Sequence, residues 1–373
     1  MSRNDYHYAV VVGINAYPGG YSALTGPVND ARAFSEWLVD PAQGGLPKRN
    51  VKHVLTSKRP PVRLSTAKPT KELIDDAIWE AREALTEALR KAPEEERAKR
   101  RRQSRLYLFV AGHGMMPGGG AAALLDAKAA RGRQTNIELQ SYLDWLIADG
   151  LFAEVCVFAD CCRNYELLAQ PGVPPFDRPS EAGDKVMFLL ALATTAGRLS
   201  FEDTDPTIRV DERRGYFSKA LVEGLRGNAA DPDTGLVTHE LLRAYVDKRV
   251  AERTQDKPTG LRQGVETRQS GGVLTFGPRR TASRRGPDDD YRGARGREPR
   301  KVVIRFPSGL RGMVELVAPD GSTRLWDVAD GPWTVWLYDG TWYVQHEGRP
   351  MVTKGLAGDG LVLVTGENRD VQL

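Results

Sequence analysis

The chain opens on a short apolar run, YAVVVGI (residues 8–14), rich in valine and interrupted only by a glycine, the pattern of a strand buried on both faces. The following PVNDARAFSEWLVD places Ala31, Phe34, Trp37 and Leu38 at helical spacing, which predicts a helix starting near Ala31. NVKHVLTS predicts a second strand, and TKELIDDAIWEAREALTEALRKA a long amphipathic helix beginning near Thr70. RLYLFVAGHG predicts a third strand that runs into a glycine-flanked histidine. The alternation continues with a helix from Asn136 to about Asp149, strands at AEVCVFAD and DKVMFLLALATT, and helices at GYFSKALVEGLRG and THELLRAYVDKRVAE. Such alternation predicts an α/β fold for residues 1–277, with a mostly parallel central sheet flanked by helices.

The period changes after GGVLTFG (271–277). Residues 278–300, PRRTASRRGPDDDYRGARGREPR, have almost nothing to bury and are expected to be a linker. From 301 to 373 the runs KVVIRF, GMVELVAP, WTVWLYDG, TWYVQHEG, MVTKG and GLVLVTG alternate with PDG, DG and GDG turns. That pattern predicts a small all-β domain, a sandwich or a barrel. Its aromatic residues, Trp326, Trp333, Trp336, Tyr338, Trp342 and Tyr343, are expected mainly to build its core.

Composition narrows the class. Of 373 residues, 40% are hydrophobic and 27% charged, values of a globular chain able to bury a sizeable core. The net charge of +4 owes much to two local runs, EEERAKRRRQSR (94–105) and the linker, and a solvated charge run is the simpler reading of each. No nucleic-acid partner is therefore expected. Three cysteines, two of them adjacent in EVCVFADCCRN (154–164), form no disulfide framework and suit a reducing cytoplasm. No window approaches a membrane span, so neither a membrane partner nor a secretory route is expected.

Candidate chemistry sits at strand ends, where ligands of open parallel sheets collect. His113 follows LYLFVAG, and Cys162 follows VCVFADC, which sets both on one rim of the sheet. A cysteine attacks as thiolate, and a nearby imidazole takes the thiol proton and later returns one to the leaving amine. The other histidines serve less well: His7 and His53 fall at strand starts or interiors, His239 follows Thr238 in a first helical turn, and His346 lies in the β region. Gly112 and Gly114 let a substrate backbone come close to His113. The cysteines lack the paired spacing of a zinc site.

YAVVVGIN, LTGPVND, LFVAGHG, VFADCCRN, GYFSKALVEGLRG and TGLVTHELLRAYV occur in the order, and roughly at the spacing, of a caspase-like cysteine peptidase domain. Nearly all of residues 7–277 resembles that family, most of all its bacterial homologues and metacaspases. Caspases carry their histidine about 50 residues before the cysteine, and His113 and Cys162 stand that far apart. The aspartate two positions before the nucleophile is similar to the metacaspase pattern, whereas caspases have glutamine there. Cys161 fills a slot for a small residue and is expected to be inert. The resemblance implies Cys162 as nucleophile, His113 as general base and acid, and the N–H groups of Gly114 and Cys162 as an oxyanion hole.

It also implies that Asp30 and Asp160 line a pocket for a basic residue, so that cleavage follows Arg or Lys. Two carboxylates in one pocket repel each other until a cation joins them. A rival role for Asp30 is to cap the helix at Ala31. On this reading both arginine runs are potential self-cleavage sites. Asp126 is expected to be structural. No cofactor is required by the sequence. Calcium, which metacaspases often need, has candidate ligands in FEDTDP (201–206) and in Asp231 and Asp233, and acidic turns of this kind more often only solvate a loop. By family association the chain would act in bacterial defence or regulated cell death, with the β-domain docking a regulator or a gasdermin-like target. The alternative is a catalytically silent caspase-fold scaffold, against which the retention of both dyad residues argues.

Overall fold

The computed structural model describes residues 4–372 apart from 61, 119–120, 178–184, 204–207, 232–233, 259–261, 271, 277–299, 307–308, 318–322, 338–339, 347–348, 351–360 and 365–368. The chain divides into two compact units, Met1–Asp231 with Leu236–Thr281, and Pro232–Gly235 with Ala282–Leu373.

The first unit runs β1 (His7–Gly13), α1 (Pro27–Val39), β2 (Val51–Leu55), α2 (Lys71–Arg90), α3 (Glu94–Arg102), β3 (Arg105–Ala111), β4 (Gly114–Pro117), β5 (Ala123–Leu125), β6 (Asn136–Glu138) and α4 (Leu139–Asp149). It continues with β7 (Glu154–Asp160), β8 (Asn164–Glu166), β9 (Met187–Leu192), α5 (Tyr216–Glu223), β10 (Val237–Thr238), α6 (His239–Arg253), β11 (Glu266–Gln269) and β12 (Thr275–Phe276). Six strands form the central sheet in the order β11-β9-β7-β3-β1-β2. All neighbours are parallel except the edge strand β11, which runs antiparallel to β9.

Every residue of β1, β3 and β7 is buried, as expected of strands covered on both sides. The two-residue period of a strand sorts their side chains between two cores. Val10, Leu108 and Val157 face α2 and α4 through Ile74, Ile78 and Leu143. Val11, Phe109 and Phe158 face the opposite layer, with Phe34 of α1, Phe217 of α5 and Val246 of α6. The α/β architecture with helices on both faces is thus the one expected from the sequence.

Three expectations need correction. Helix α1 starts at Pro27, not near Ala31, because proline fits the first helical turn, where its missing N–H costs nothing. Asp30 therefore lies inside the first turn, its N–H bonded to the carbonyl of Gly26, and it does not cap the helix. Residues 136–138 are a strand, and α4 begins only at Leu139, where the Glu138 carboxylate accepts from the N–H groups of Gln140 and Ser141. The charged run from Glu94 folds as helix α3, with its glutamates in the first turn and its basic residues in the last, the arrangement a helix dipole favours.

A small second sheet, β6-β5-β4-β8, lies beside the rim. β4 leaves directly from His113 and β8 starts two residues after Cys162. Their parallel pairing, Met115 opposite Asn164, ties the two loops together.

In the second unit the described residues form β13 (Arg300–Arg305), β14 (Met313–Val317), β15 (Thr323–Asp327), β16 (Trp333–Leu337), β17 (Gly340–His346), β18 (Arg349–Pro350), β19 (Leu361–Val364) and β20 (Arg369–Gln372). β16-β13-β20 make one sheet, and β15-β14-β17-β18, with β19 against β17, make another. Trp326 donates its indole N–H to the carbonyl of Gly331 at 3.0 Å. Tyr338, the side chains of Trp333, Trp336, Trp342 and Tyr343, and linker residues 278–299 lie outside the described residues. Among the described residues no helix is long and apolar enough to cross a membrane.

The α1 face depends most on Phe34, which is fully buried and stacks on Phe109 at 4.8 Å between ring centres while meeting Phe158 edge-on. Phe34→Ala should lower the unfolding free energy by about 3–5 kcal/mol, read from the midpoint shift of urea unfolding.

Candidate active site

The ends of β3 and β7 lie side by side, Ala111 opposite Asp160. The chain leaving β3 presents His113, and the chain leaving β7 presents Cys162. Gly114 is where the two loops touch: a Cβ there would come within 2.5 Å of the Cys162 carbonyl and 2.6 Å of the Cys161 Cβ, so only glycine permits the approach. The sequence-based expectation that one rim carries both residues holds.

His113 is fixed from three directions. Its backbone N–H donates to the Tyr17 hydroxyl at 2.8 Å, its ring lies 4.8 Å from that of Tyr17 and 5.8 Å from that of Tyr21, and its Nε2 is 2.8 Å from the Ser22 carbonyl. A carbonyl only accepts, so Nε2 carries the proton and Nδ1 is left as the basic nitrogen. Burial lowers the pKa of His113 against opposing contributions from Ser22 and Glu202.

Cys162 is partly exposed, and its Sγ accepts from the N–H of Ser200 at 3.3 Å. Burial pushes the thiol above its ordinary range, the Ser200 N–H draws it back, and the Asp160 charge adds to the rise. No hydrogen bond joins Cys162 to His113. Both shifts favour neutral forms, so the resting pair is thiol and imidazole, and not thiolate and imidazolium. Cys156 and Cys161 are buried, and burial pushes Cys156 up to about 12 and Cys161 well above the thiol range.

Strand period decides the second cluster. Asp160 shares the parity of Cys156 and Phe158, so it points to the α1 and α5 side, while Cys161 joins the core under α2 and α4. There Asp160 accepts from the Ser218 N–H at 3.0 Å and hydroxyl at 2.7 Å and from the Ser200 hydroxyl at 2.5 Å. Asp30, on α1, accepts from the N–H of Gly215 at 2.9 Å. A Cβ on Gly215 would collide with Asp160 Oδ2 and come within 3.2 Å of Asp30 Oδ2, so the two carboxylates converge on this glycine. The structure brings Asp30 and Asp160 together as the resemblance implied. Burial pushes Asp30 up to about 8; the Arg214 guanidinium pulls it down and Asp160 drives it further up.

Several residues of the site escaped the sequence. Tyr17, Tyr21 and Ser22 belong to a glycine-containing β1–α1 loop whose aromatic residues were its one visible signal. Ser200 and Ser218 act as donors that any small polar residue could imitate. Glu202, read only as part of an acidic turn, accepts from the Gly26 N–H at 2.7 Å and the Thr25 hydroxyl at 3.0 Å, which holds the start of α1. Arg214 was not singled out, yet its Nε lies 2.5 Å from Asp30 Oδ1. Asp126 is structural, as expected: it accepts from the N–H groups of Lys71 and Lys128, each at 2.9 Å, at the start of α2 and in its own turn. Among the described residues no group of three or more His, Cys, Asp or Glu is placed to hold a metal ion; Asp205 and Asp233 lie outside them.

Burial separates the three thiols chemically. Iodoacetamide should add one carbamidomethyl group per native chain, at Cys162, and the rate should climb with pH beyond the range of an ordinary thiol, because only the thiolate reacts. Peptide mapping of the alkylated protein checks both; equal labelling of Cys161 would contradict its burial.

The chain is similar to several known proteins. A probable protease from a Desulfuromonadales bacterium is 26% identical over 260 residues, a match that covers 64% of this chain but only 28% of that protein. Among solved structures, caspase-1 from Spodoptera frugiperda is 17% identical, with 73% of this chain and 88% of that one covered and a TM-score of 0.43. A Geobacter sulfurreducens protein is 15% identical, with 71% and 94% covered and a TM-score of 0.42. The caspase-domain model of peptidase family C14 matches residues 6–269, well over half of the sequence, and the chain belongs to that family.

Proposed function

We propose that the chain is a cysteine endopeptidase that uses Cys162 and His113 and cleaves after arginine or lysine. The observation that carries this reading is the pair of buried carboxylates, Asp30 and Asp160, gathered around Gly215 at the end of the strand that delivers Cys162. A scaffold has no need to bury two acids beside a reactive thiol, since each costs several kcal/mol unless it is paired and hydrogen-bonded.

The chemistry follows from the two neutral groups. As Sγ of Cys162 bonds to the scissile carbonyl carbon, its proton passes to Nδ1 of His113. The carbonyl π pair moves to oxygen, where the N–H groups of Gly114 and Cys162, the oxyanion hole that the family resemblance implies, would receive it. Collapse of the tetrahedral adduct breaks the C–N bond, and the Nδ1 proton leaves on the amine. Water then attacks the thioester, gives a proton to Nδ1, and the thiol is regenerated when that proton returns. Ser22 holds Nε2–H throughout, so the ring cannot switch nitrogens.

The free thiols suit a reducing compartment, and we place the enzyme in the cytoplasm. We assign residues 301–373 to docking of a regulator or target protein in bacterial defence; deletion of these residues should spare hydrolysis of small peptides and abolish capture of that protein partner.

The test is a panel of fluorogenic peptides with Arg, Lys, Asp or norleucine before the scissile bond, with and without calcium. Arg and Lys peptides should turn over, with activity lost in Cys162→Ala and cut by about 10²-fold or more in His113→Ala. Cleavage after Asp would keep the peptidase and discard the pocket. The pH dependence has a defined sign: Asp30 is raised to about 8, so it is protonated below and ionised above. KM for the Arg peptide should fall as pH rises through that value, while KM for the norleucine peptide stays flat.

A further inference from the structure

The acidic pocket already holds a cation. Arg214 directly precedes Gly215, and its side chain is 15% exposed, with Nε 2.5 Å from Asp30 Oδ1 and Nη2 3.2 Å from the carbonyl of Ser218. Ser218 is the residue whose N–H and hydroxyl hold Asp160. The guanidinium thus lies between α1 and the first turn of α5, bonded to Asp30 and to the carbonyl of the residue that holds Asp160. We propose that Arg214 is the resident occupant of this pocket, and that a basic substrate side chain must displace its guanidinium to reach Asp30. The proposal rests on the reading of Asp30 and Asp160 as the substrate pocket.

Two features separate Arg214 from a fixed structural arginine. Arg105, 4% exposed, spends its donors on Glu154, the Tyr107 hydroxyl and the carbonyl of Thr275. Arg214 has five N–H donors, and among the described residues its side-chain hydrogen bonds come from Nε and Nη2 alone, fewer than Arg105 makes. Its tether is also uneven. At the backbone, Arg214 is pinned by the carbonyl it offers to the Asp203 N–H at 2.9 Å and by its own N–H to Asp203 Oδ2 at 3.2 Å. Before it, residues 209–212 are exposed, and Asn29 Nδ2 holds the turn through the carbonyls of Val210 and Arg213. A side chain on a fixed backbone beside a lightly held turn can swing out without unfolding the sheet.

The consequence is a conformational penalty on basic substrates. If only the fraction of molecules with Arg214 withdrawn accepts them, the apparent affinity is reduced by that fraction. Charge supports replacement over sharing, because the Nε contact and an incoming guanidinium both require Asp30 Oδ1, and Gly215 closes the space between the acids.

The experiment compares wild type with Arg214→Ala and Arg214→Met on coumarylamide peptides that differ only in Arg or norleucine at the cleaved position. Binding of a fluorescein-labelled Arg peptide by the Cys162→Ala forms supplies a readout that needs no turnover. Thermal unfolding of each variant reports folding. For a pocket occupied nine-tenths of the time, KM or Kd for the Arg peptide should fall about tenfold in both variants, and by more than for the norleucine peptide, so that the preference for Arg over norleucine rises. If wild type favours Arg and the variants bind it no tighter, Arg214 is a strut and the proposal falls while the acidic pocket stands. If wild type ignores charge and the variants gain a preference for Arg, the plug is supported. If all forms ignore charge, plug and pocket fall together, and if neither variant folds, the arginine is structural and the plug is overturned.

Discussion

Burial of two carboxyl groups at one strand end governs how this site is assembled. A carboxylate taken out of water must find donors or a cation, and Asp30 and Asp160 find them on two segments: the Ser200 turn, and the stretch from Arg214 through Gly215 to Ser218 that enters α5. These bonds add to the backbone pairing of Asp203 with Arg214 and of Phe201 with Tyr216, which already brings the two segments together. Ser200 shows the coupling most directly. Its hydroxyl donates to Asp160 and its N–H donates to the Cys162 sulfur, so one residue sets both the pocket and the nucleophile.

The same desolvation that strains the acids keeps the dyad quiet. Burial raises Cys162 and lowers His113, and each shift disfavours the charged form. A resting thiolate would sit next to Asp160, whose charge opposes it. The arrangement therefore suits a nucleophile that is deprotonated only as it attacks, with the proton moved a short distance to a ring whose other nitrogen is already committed to Ser22. An acidic pocket and a permanent thiolate would be electrostatic rivals, and a neutral dyad resolves the conflict.

Sequence reading reached the parts of this site that a strand end fixes. His113, Cys162 and Asp160 sit where long apolar runs stop; Cys161 was separated from Cys162 by the family resemblance, and the strand period of the structure places it in the core under α2 and α4. It did less well where a role depends on a distant segment. A cap remained a rival role for Asp30 because a helix start near Ala31 lies four residues late; Pro27 at the first turn marks the true start. Glu138 was read as helical although its carboxylate caps the helix from outside. Glu202 and Arg214 were invisible for a different reason: both sit in polar stretches typical of loops, and only the fold places one under α1 and the other against Asp30.

That last pair sharpens the charge argument. Glu202 and Asp203 are neighbours, and the segment carrying them bridges to Gly215 in antiparallel fashion, Glu202 opposite Gly215. One residue of this pair anchors the start of α1 through Thr25 and Gly26, and the other anchors the Arg214 backbone. The acidic turn thus fixes both walls of the pocket while adding negative charge near it, which makes the environment more favourable to a cation than Asp30 and Asp160 alone would be. Among the described residues Lys219 answers Asp203 and Arg214 answers Asp30, while Asp160 is held by hydroxyl and N–H donors with no bonded cation, which leaves the pocket electrostatically unfinished. A guanidinium or ammonium from an extended peptide, with its own backbone anchored at the rim, is the group that can finish it.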